Sequence, residues 1–313
     1  MALTRIFNPF ECISSCMDLR LELFFIYAFT ILISSMLGAM LISEVMAEPE
    51  LWAEVVPEVS TTGPIADGLV IFAYMMIGAI GFIIINKLGL VNYAIRAVEL
   101  ISIFACFSIA FAIVLEYIGM AEPGVSILSY SIGLLFAVRR ILMPMERNNV
   151  YGMVVSAVLG ALFGIILSMD AIIVFGALMA IYDIVAVFIT KHMIDIAKAV
   201  VSNNLSMVVT VSRGDVKADF SKKKSVAKAR RLDLGTGDLF IASLFVVCAL
   251  KFSVEFFLVM LLFSFLGFFA TMKLLETLKR PIPALPTIVG SLLVGLIFYF
   301  TASILSFYVR AVL

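Results

Sequence analysis

Long apolar runs alternate with short polar ones along this chain, and the runs have the length of a bilayer. A helix needs about 20 apolar residues to cross the hydrocarbon. Runs of that order are Leu23–Ile42, Gly68–Asn86, Ile95–Ile118, Val150–Met169, Ala171–Thr190, Gly235–Leu250, Phe252–Leu274 and Pro283–Phe307. One more, Gly124–Val138, is short and bracketed by Glu122 and Arg139. It must borrow flanking residues or lie where the bilayer is thinned. The pattern predicts an all-α polytopic membrane protein with about nine transmembrane helices. Little more than Asp170 separates the fifth run from the sixth, so that turn is expected to be tight.

Composition agrees with this pattern. The chain is 63% hydrophobic and 14% charged, where a soluble domain carries about a quarter charged residues. Its formal net charge is +0, so no bulk attraction to nucleic acid is expected; the partner is the lipid bilayer. Direction follows from the cations. Of the 22 Lys and Arg, all but Lys251 and Arg310 fall on one side of the alternating runs. The positive-inside rule makes that side cytoplasmic. The expectation is an integral protein of the cell membrane, with the N-terminus and the 191–233 loop cytoplasmic and the C-terminus outside. Glu11, Asp18 and Glu22 stand beside Arg5 and Arg20 before the first run. That flank does not suit a signal peptide, and the first run reads as a retained helix.

The polar segment Lys191–Asp233 splits the chain into three parts. These are an N-terminal six-helix half (1–190), a cytoplasmic basic loop (191–233) and a C-terminal three-helix half (234–313). The loop's second half, Ser221 through Arg231, is strongly basic and reads as a solvated linker facing anionic lipid. Its first half contains the β-branched stretch Ser206–Ser212 ahead of the turn signal Arg213-Gly214-Asp215, which predicts a strand. The connection Ser43–Asp67 carries Leu51, Trp52, Val55 and Val56 among acids, a pattern that suits an interfacial amphipathic helix.

Several chemistries find no support. Cys12, Cys16, Cys106 and Cys248 form neither a disulfide framework nor a metal cluster. His192 is the one histidine and sits at a span boundary, which argues against a His-based metalloprotease. Asp170 and Glu255 lie near span ends and read as interfacial. Glu99, just inside the third run, is read as interfacial or paired with Arg96.

Two carboxylates remain anomalous. Asp183 lies inside the sixth run, and Asp238 lies near the start of the seventh. An ionised carboxylate at a helix centre costs roughly 2.5–3.5 kcal/mol on insertion scales. Asp183 precedes Lys191 by eight residues, roughly 12 Å of helix from the cytoplasmic edge. Asp238 follows Arg231 by seven residues, about 10 Å if helical. The two are thus expected at similar depth on adjacent antiparallel spans. Two close carboxylates do not both ionise easily and hold one proton between them. One member can then deprotonate a water while the other protonates or polarises a carbonyl, which is the machinery of amide hydrolysis. The pair titrates as a unit, so neither member takes an individual role.

Neighbouring residues suit that chemistry. Gly235 and Gly237 remove side chains beside Asp238, so another backbone can approach it. Tyr182 directly precedes Asp183, where its hydroxyl can hydrogen-bond or its ring can pack. The stretch Arg280-Pro281-Ile282-Pro283-Ala284-Leu285-Pro286 forbids a regular helix entrance to the ninth span. Non-helical backbone at membrane depth is tolerated where it lines a cavity or is buried in protein, so this stretch is expected beside the aspartates.

The motifs Tyr182-Asp183, Gly235-Thr236-Gly237-Asp238 and Pro283-Ala284-Leu285, in this order on the sixth, seventh and ninth spans, resemble the presenilin and signal peptide peptidase family of intramembrane aspartyl proteases. The compact chain is most similar to stand-alone prokaryotic or archaeal members. The resemblance implies a presenilin-like fold with Asp183 and Asp238 as the catalytic pair, working without metal or organic cofactor. It also implies that Tyr182, Gly235, Gly237, Pro283, Ala284 and Leu285 bind substrate or shape the site. The implied partners are transmembrane helical protein substrates, type I by the presenilin-like charge pattern; a homo-oligomer is left open. The strand around Ser206–Ser212 would then capture an unwound substrate by strand addition. Two alternatives stand beside this reading. One is a proton- or cation-coupled transporter or channel, since intramembrane acids and broken helices also serve there. The other is a prepilin-peptidase-like aspartyl protease, which shares the Gly-x-Gly-Asp motif with fewer spans.

Overall fold

The computed structural model describes residues 9–47, 63–87, 91–142, 149–189, 208–213, 230–278 and 282–312. In chain order the helices are α1 (Pro9–Ala47), α2 (Pro64–Lys87), α3 (Val91–Tyr117), α4 (Gly124–Leu142), α5 (Asn149–Ile166) and α6 (Met169–Ile184). A single π-helical turn, Val185–Ile189, continues α6. Strands β1 (Val208–Arg213) and β2 (Arg230–Gly235) follow, then α7 (Thr236–Leu250), α8 (Val254–Leu278) and α9 (Leu285–Val312). Among the described residues, seven helices are long and apolar enough to cross a membrane, and α7 and part of α2 are shorter apolar helices. The expected interfacial helix around Trp52, the residue His192 and the basic stretch 214–229 lie outside the described residues.

Helix α7 is the centre of the bundle. It packs against α1, α5, α6, α8 and α9. From Leu239 through Ala249 every side chain except Phe240 is buried. A helix that is apolar all round has no lipid or water face to keep and belongs in a core. α5 meets it through small residues. A Cβ built on Gly160 would lie 2.5 Å from the Ser243 Cβ, and one on Gly164 would lie 2.9 Å from the Val247 Cβ. These pairs are four residues apart on both helices, so a groove on α5 receives a ridge of α7. α1 adds the stripe Leu19, Leu23, Tyr27 and Ile31, all fully buried.

The tight turn falls slightly earlier than expected. α5 stops at Ile166, and Ser168 caps α6 by accepting from the Ala171 N–H. Asp170 lies in the first turn of α6, where the helix dipole favours an acid. Lys251, one of the two cations on the cation-poor side, caps α7. Its amine donates to the Ile165 carbonyl at 3.0 Å and to the Leu167 carbonyl, which satisfies the orphan end of α5.

Two expectations are corrected here. Glu99 does not pair with Arg96. It accepts from Arg140 Nε at 3.2 Å and Nη2 at 3.0 Å, with both side chains buried. Helix α4 runs on past Val138 to Leu142, which carries Arg140 into the α3–α4 contact. The other correction concerns the end of the basic loop. Arg230 and Arg231 belong to strand β2 rather than to a linker. β2 pairs antiparallel with β1 in the register Val209↔Leu234, Thr210↔Asp233 and Val211↔Leu232, and it runs across the boundary drawn between 233 and 234. The strand expected at Ser206–Ser212 is present as Val208–Arg213. Val209, Val211 and Leu234 are buried against the core, while Thr210 Oγ1 donates to Asp233 Oδ1 at 2.7 Å on the other face. The Asn149 side chain at the start of α5 accepts from the Thr210 N–H and donates to its carbonyl, both at 2.9 Å. Asn149 thereby imitates a strand partner and fixes β1 to the bundle.

Candidate active site

Both aspartates lie against helix starts, Asp238 in the first turn of its own α7 and Asp183 against the first residue of α9. Gly235 ends β2 and is the N-cap of α7, with no side chain to cap it. That places Asp238 at the third helical position, and its carboxylate reaches back toward the Gly235 N–H. This is the returning half of a capping box, with the aspartate satisfying an otherwise orphan donor. The close fit explains Gly235: a Cβ there would lie 3.1 Å from Asp238 Oδ2. Gly237 differs. Beyond its chain neighbours, nothing lies within 4 Å of a Cβ built on it, so a methyl there would meet open space.

Asp183 comes from the other direction. It is buried near the C-terminal end of α6, just before the π turn. Such turns interrupt the regular ladder and recur at functional sites. Asp183 Oδ2 accepts from the Leu285 N–H at 3.3 Å, a contact between residues far apart in the chain. Leu285 is the first residue of α9, so Asp183 caps α9 from another helix. The proline-rich entrance explains why that N–H is available to it. Pro283 and Pro286 carry no N–H, and Leu285 stands between them with one.

The same dipolar environment therefore holds both carboxylates, at the positive ends of α7 and α9. They lie within electrostatic range of each other. This arrangement offsets part of the expense of placing carboxylates in an apolar bundle. Position in the bilayer follows from length. α7 has 15 residues, so it is about 22 Å long against a hydrocarbon core of about 30 Å. Were its Lys251 end at one surface, its Asp238 end would stop inside the core. The sequence estimate of depth for Asp238 assumed helix from Arg231 onward; that stretch is strand up to Gly235, and the shortness of α7 replaces the estimate.

Pro283 and Leu285 are buried, Ala284 is half-buried, and Tyr182 is half-buried against the main core. Leu285 touches Asp183 directly through its backbone. Residues that sequence reasoning missed also anchor the site. Ser156 on α5 donates to the Thr236 carbonyl at 2.9 Å and fixes the turn before Asp238. A pair of threonines, Thr271 and Thr287, ties the Pro-Ala-Leu turn to α8. Nothing in the spacing along the chain announces such partners, because each depends on which helices touch.

Comparison with known proteins decides the family. The family profile described as signal-peptide peptidase, presenilin aspartyl protease matches residues 29–306. The chain belongs to this family. It is an intramembrane aspartyl endopeptidase of the presenilin and signal peptide peptidase family, acting on transmembrane helices within the bilayer. Two solved structures of a presenilin family intramembrane aspartate protease, in C222 and P2 space groups, share its fold. The first has 17% sequence identity and a TM-score of 0.56, covering 88% of this chain and 94% of that one. The second has 18% identity and a TM-score of 0.55, covering 89% and 96%. No curated protein matches. Membership in this family does not favour the transporter and prepilin-peptidase alternatives.

Proposed function

We propose that Asp183 and Asp238 are the catalytic dyad of this protease, opening on the cytoplasmic side and cutting type I transmembrane substrates. The observation that carries the reading is the placement of Asp183 on the Leu285 N–H within electrostatic range of Asp238. One proton is shared by the two carboxyls. The ionised member takes a proton from water as the water oxygen attacks the amide carbon. The protonated member donates to the carbonyl oxygen, giving a tetrahedral diol. One carboxyl then gives its proton to the nitrogen while the other takes a proton from a diol hydroxyl; the C–N bond breaks, an acid and an amine leave, and the dyad again holds one proton. All these groups lie on one chain, so the site needs no second copy. The excess of Lys and Arg on one side supports the cytoplasmic orientation. Purified protein in liposomes, given a type I transmembrane peptide in each orientation, tests the reading. Cleavage only of peptides with a cytoplasmic-facing C-terminus is expected; equal cleavage of both orientations would remove the type I assignment.

The two glycines beside Asp238 have separable effects. Gly235→Ala presses a methyl on the Asp238 carboxylate and is expected to lower cleavage about tenfold or more, in line with one misplaced catalytic group. Gly237→Ala has room. It is expected to raise helix stability by up to about 1 kcal/mol yet to reduce cleavage, because the methyl enters the open side of the aspartate. Thermal unfolding and turnover of the two variants check this. A fully active Gly237→Ala enzyme would mean that substrate backbone approaches elsewhere.

The β1–β2 sheet supports a place for the unwound substrate. β2 passes directly into the helix carrying Asp238, so a substrate strand added to the sheet would run toward the dyad. Val209→Pro or Val211→Pro removes an N–H from the paired segment. Reduced cleavage with retained protein levels is expected; unchanged turnover would end the strand-addition idea.

A further inference from the structure

The position of the Leu285 N–H is itself held by something, and the structure assigns that task to two threonine hydroxyls. Thr287 lies in the first turn of α9, and its hydroxyl donates to the Ala284 carbonyl at 2.8 Å. The same carbonyl accepts the first helical bond, from the Ile288 N–H at 3.2 Å. The peptide unit that offers this carbonyl also carries the Leu285 N–H, because Ala284 C=O and Leu285 N–H belong to one plane. Fixing the oxygen therefore fixes the direction of the donor that holds Asp183. On the far side, Thr287 Oγ1 contacts Thr271 Oγ1 of α8. Thr271 also lies 2.8 Å from the Gly267 carbonyl of its own helix.

Two hydroxyl protons serve three acceptors in this chain of contacts. We propose that Thr271 donates to Thr287 and Thr287 to the Ala284 carbonyl, forming a relay that aims the Leu285 N–H at Asp183. Each donated bond polarises the next and strengthens it. Helices α8 and α9 are close enough for such a relay at this level. A Cβ on Gly267 would lie 3.0 Å from the Ile288 Cα, so α8 presents bare backbone to the first turns of α9. Both threonines are positioning residues, since neither touches the reacting atoms. Pro283 and Pro286 each remove one backbone donor from this turn, so the Thr287 hydroxyl adds to the Ile288 N–H in orienting it.

The inference rests on Asp183 being catalytic, and the test separates the two claims. Thr287→Val keeps the β-branched shape and deletes the hydroxyl. It is expected to lower kcat about fivefold, the net effect of one lost hydrogen bond, while KM stays within about twofold. Thr287→Ser restores kcat. Thr271→Val lowers kcat less, and the double valine variant is no worse than Thr287→Val alone, because Thr271 acts through Thr287. If Thr287→Val does not fold, Thr271→Val carries the test on α8. Wild-type kcat in both valine variants, with Asp183→Asn inactive in the same assay, overturns the relay and leaves the dyad standing. A loss of melting temperature in the valine variants with kcat unchanged also overturns it. Activity retained by Asp183→Asn removes the dyad and the relay together.

Discussion

Asn at either Asp183 or Asp238 will reduce cleavage of a reconstituted transmembrane peptide to background, a loss of at least about a hundred- to ten-thousandfold. Each substitution alone is sufficient, because hydrolysis needs one carboxyl to take a proton and the other to give one. The fold is expected to survive. An amide oxygen at position 183 still accepts from the Leu285 N–H, and one at position 238 still reaches toward the Gly235 N–H. Both capping contacts are thus preserved in shape while the proton chemistry is removed. Unfolding temperatures near wild type, beside absent turnover, distinguish a catalytic role from a structural one. Asparagine also removes a charge from an apolar bundle, so a modest gain in stability is compatible with this reading.

Breaking the buried ion pair between α3 and α4 will have the largest effect on stability. Glu99→Ala removes the carboxylate that Arg140 holds with two hydrogen bonds between α3 and α4. The side chains are 7% and 6% exposed, and the Arg140 guanidinium cannot shed its charge. Removing one member of a buried pair costs about 3–5 kcal/mol, because the remaining charge stays desolvated. Replacing both with Met removes the two charges together and is expected to be neutral or stabilising. Denaturant or thermal unfolding of the single and double variants in the same detergent checks this. A double variant as unstable as Glu99→Ala would show that the pair holds α3 and α4 by shape rather than charge.

Much of this arrangement was legible before the fold was known, for physical reasons. Apolar runs mark helices in a bilayer because backbone groups there must pair within the chain. Asp183 and Asp238 stand out because nothing in a lipid-facing helix requires a carboxylate. The stretch from Pro281 to Pro286 announces a broken helix entrance because proline has no N–H. The missed features share a different cause. β2 hid behind Arg230 and Arg231, whose charge suggested solvent, although Leu232 and Leu234 alternate as a half-buried strand does. Arg140 lies past the apolar run Gly124–Val138, and its charge and that of Arg139 hide the continuation of α4 to Leu142. Its partner on α3, like Thr271 for Thr287, is set by helix contacts that no local pattern encodes. The depth of Asp238 was inferred from a helix that proves to be strand, and the 15 residues of α7 are too few to span the hydrocarbon core.

The most direct test of a membrane-embedded aspartate pair is product mass. Wild-type protein and the two single Asn variants are reconstituted in liposomes with a transmembrane peptide in heavy-oxygen water, and the fragments are weighed. The expected result is cleavage within the apolar part of the peptide by wild type alone, with one solvent oxygen in the new carboxyl group. Normal amounts of the same fragments from either Asn variant would contradict the assignment of Asp183 and Asp238 as the catalytic dyad.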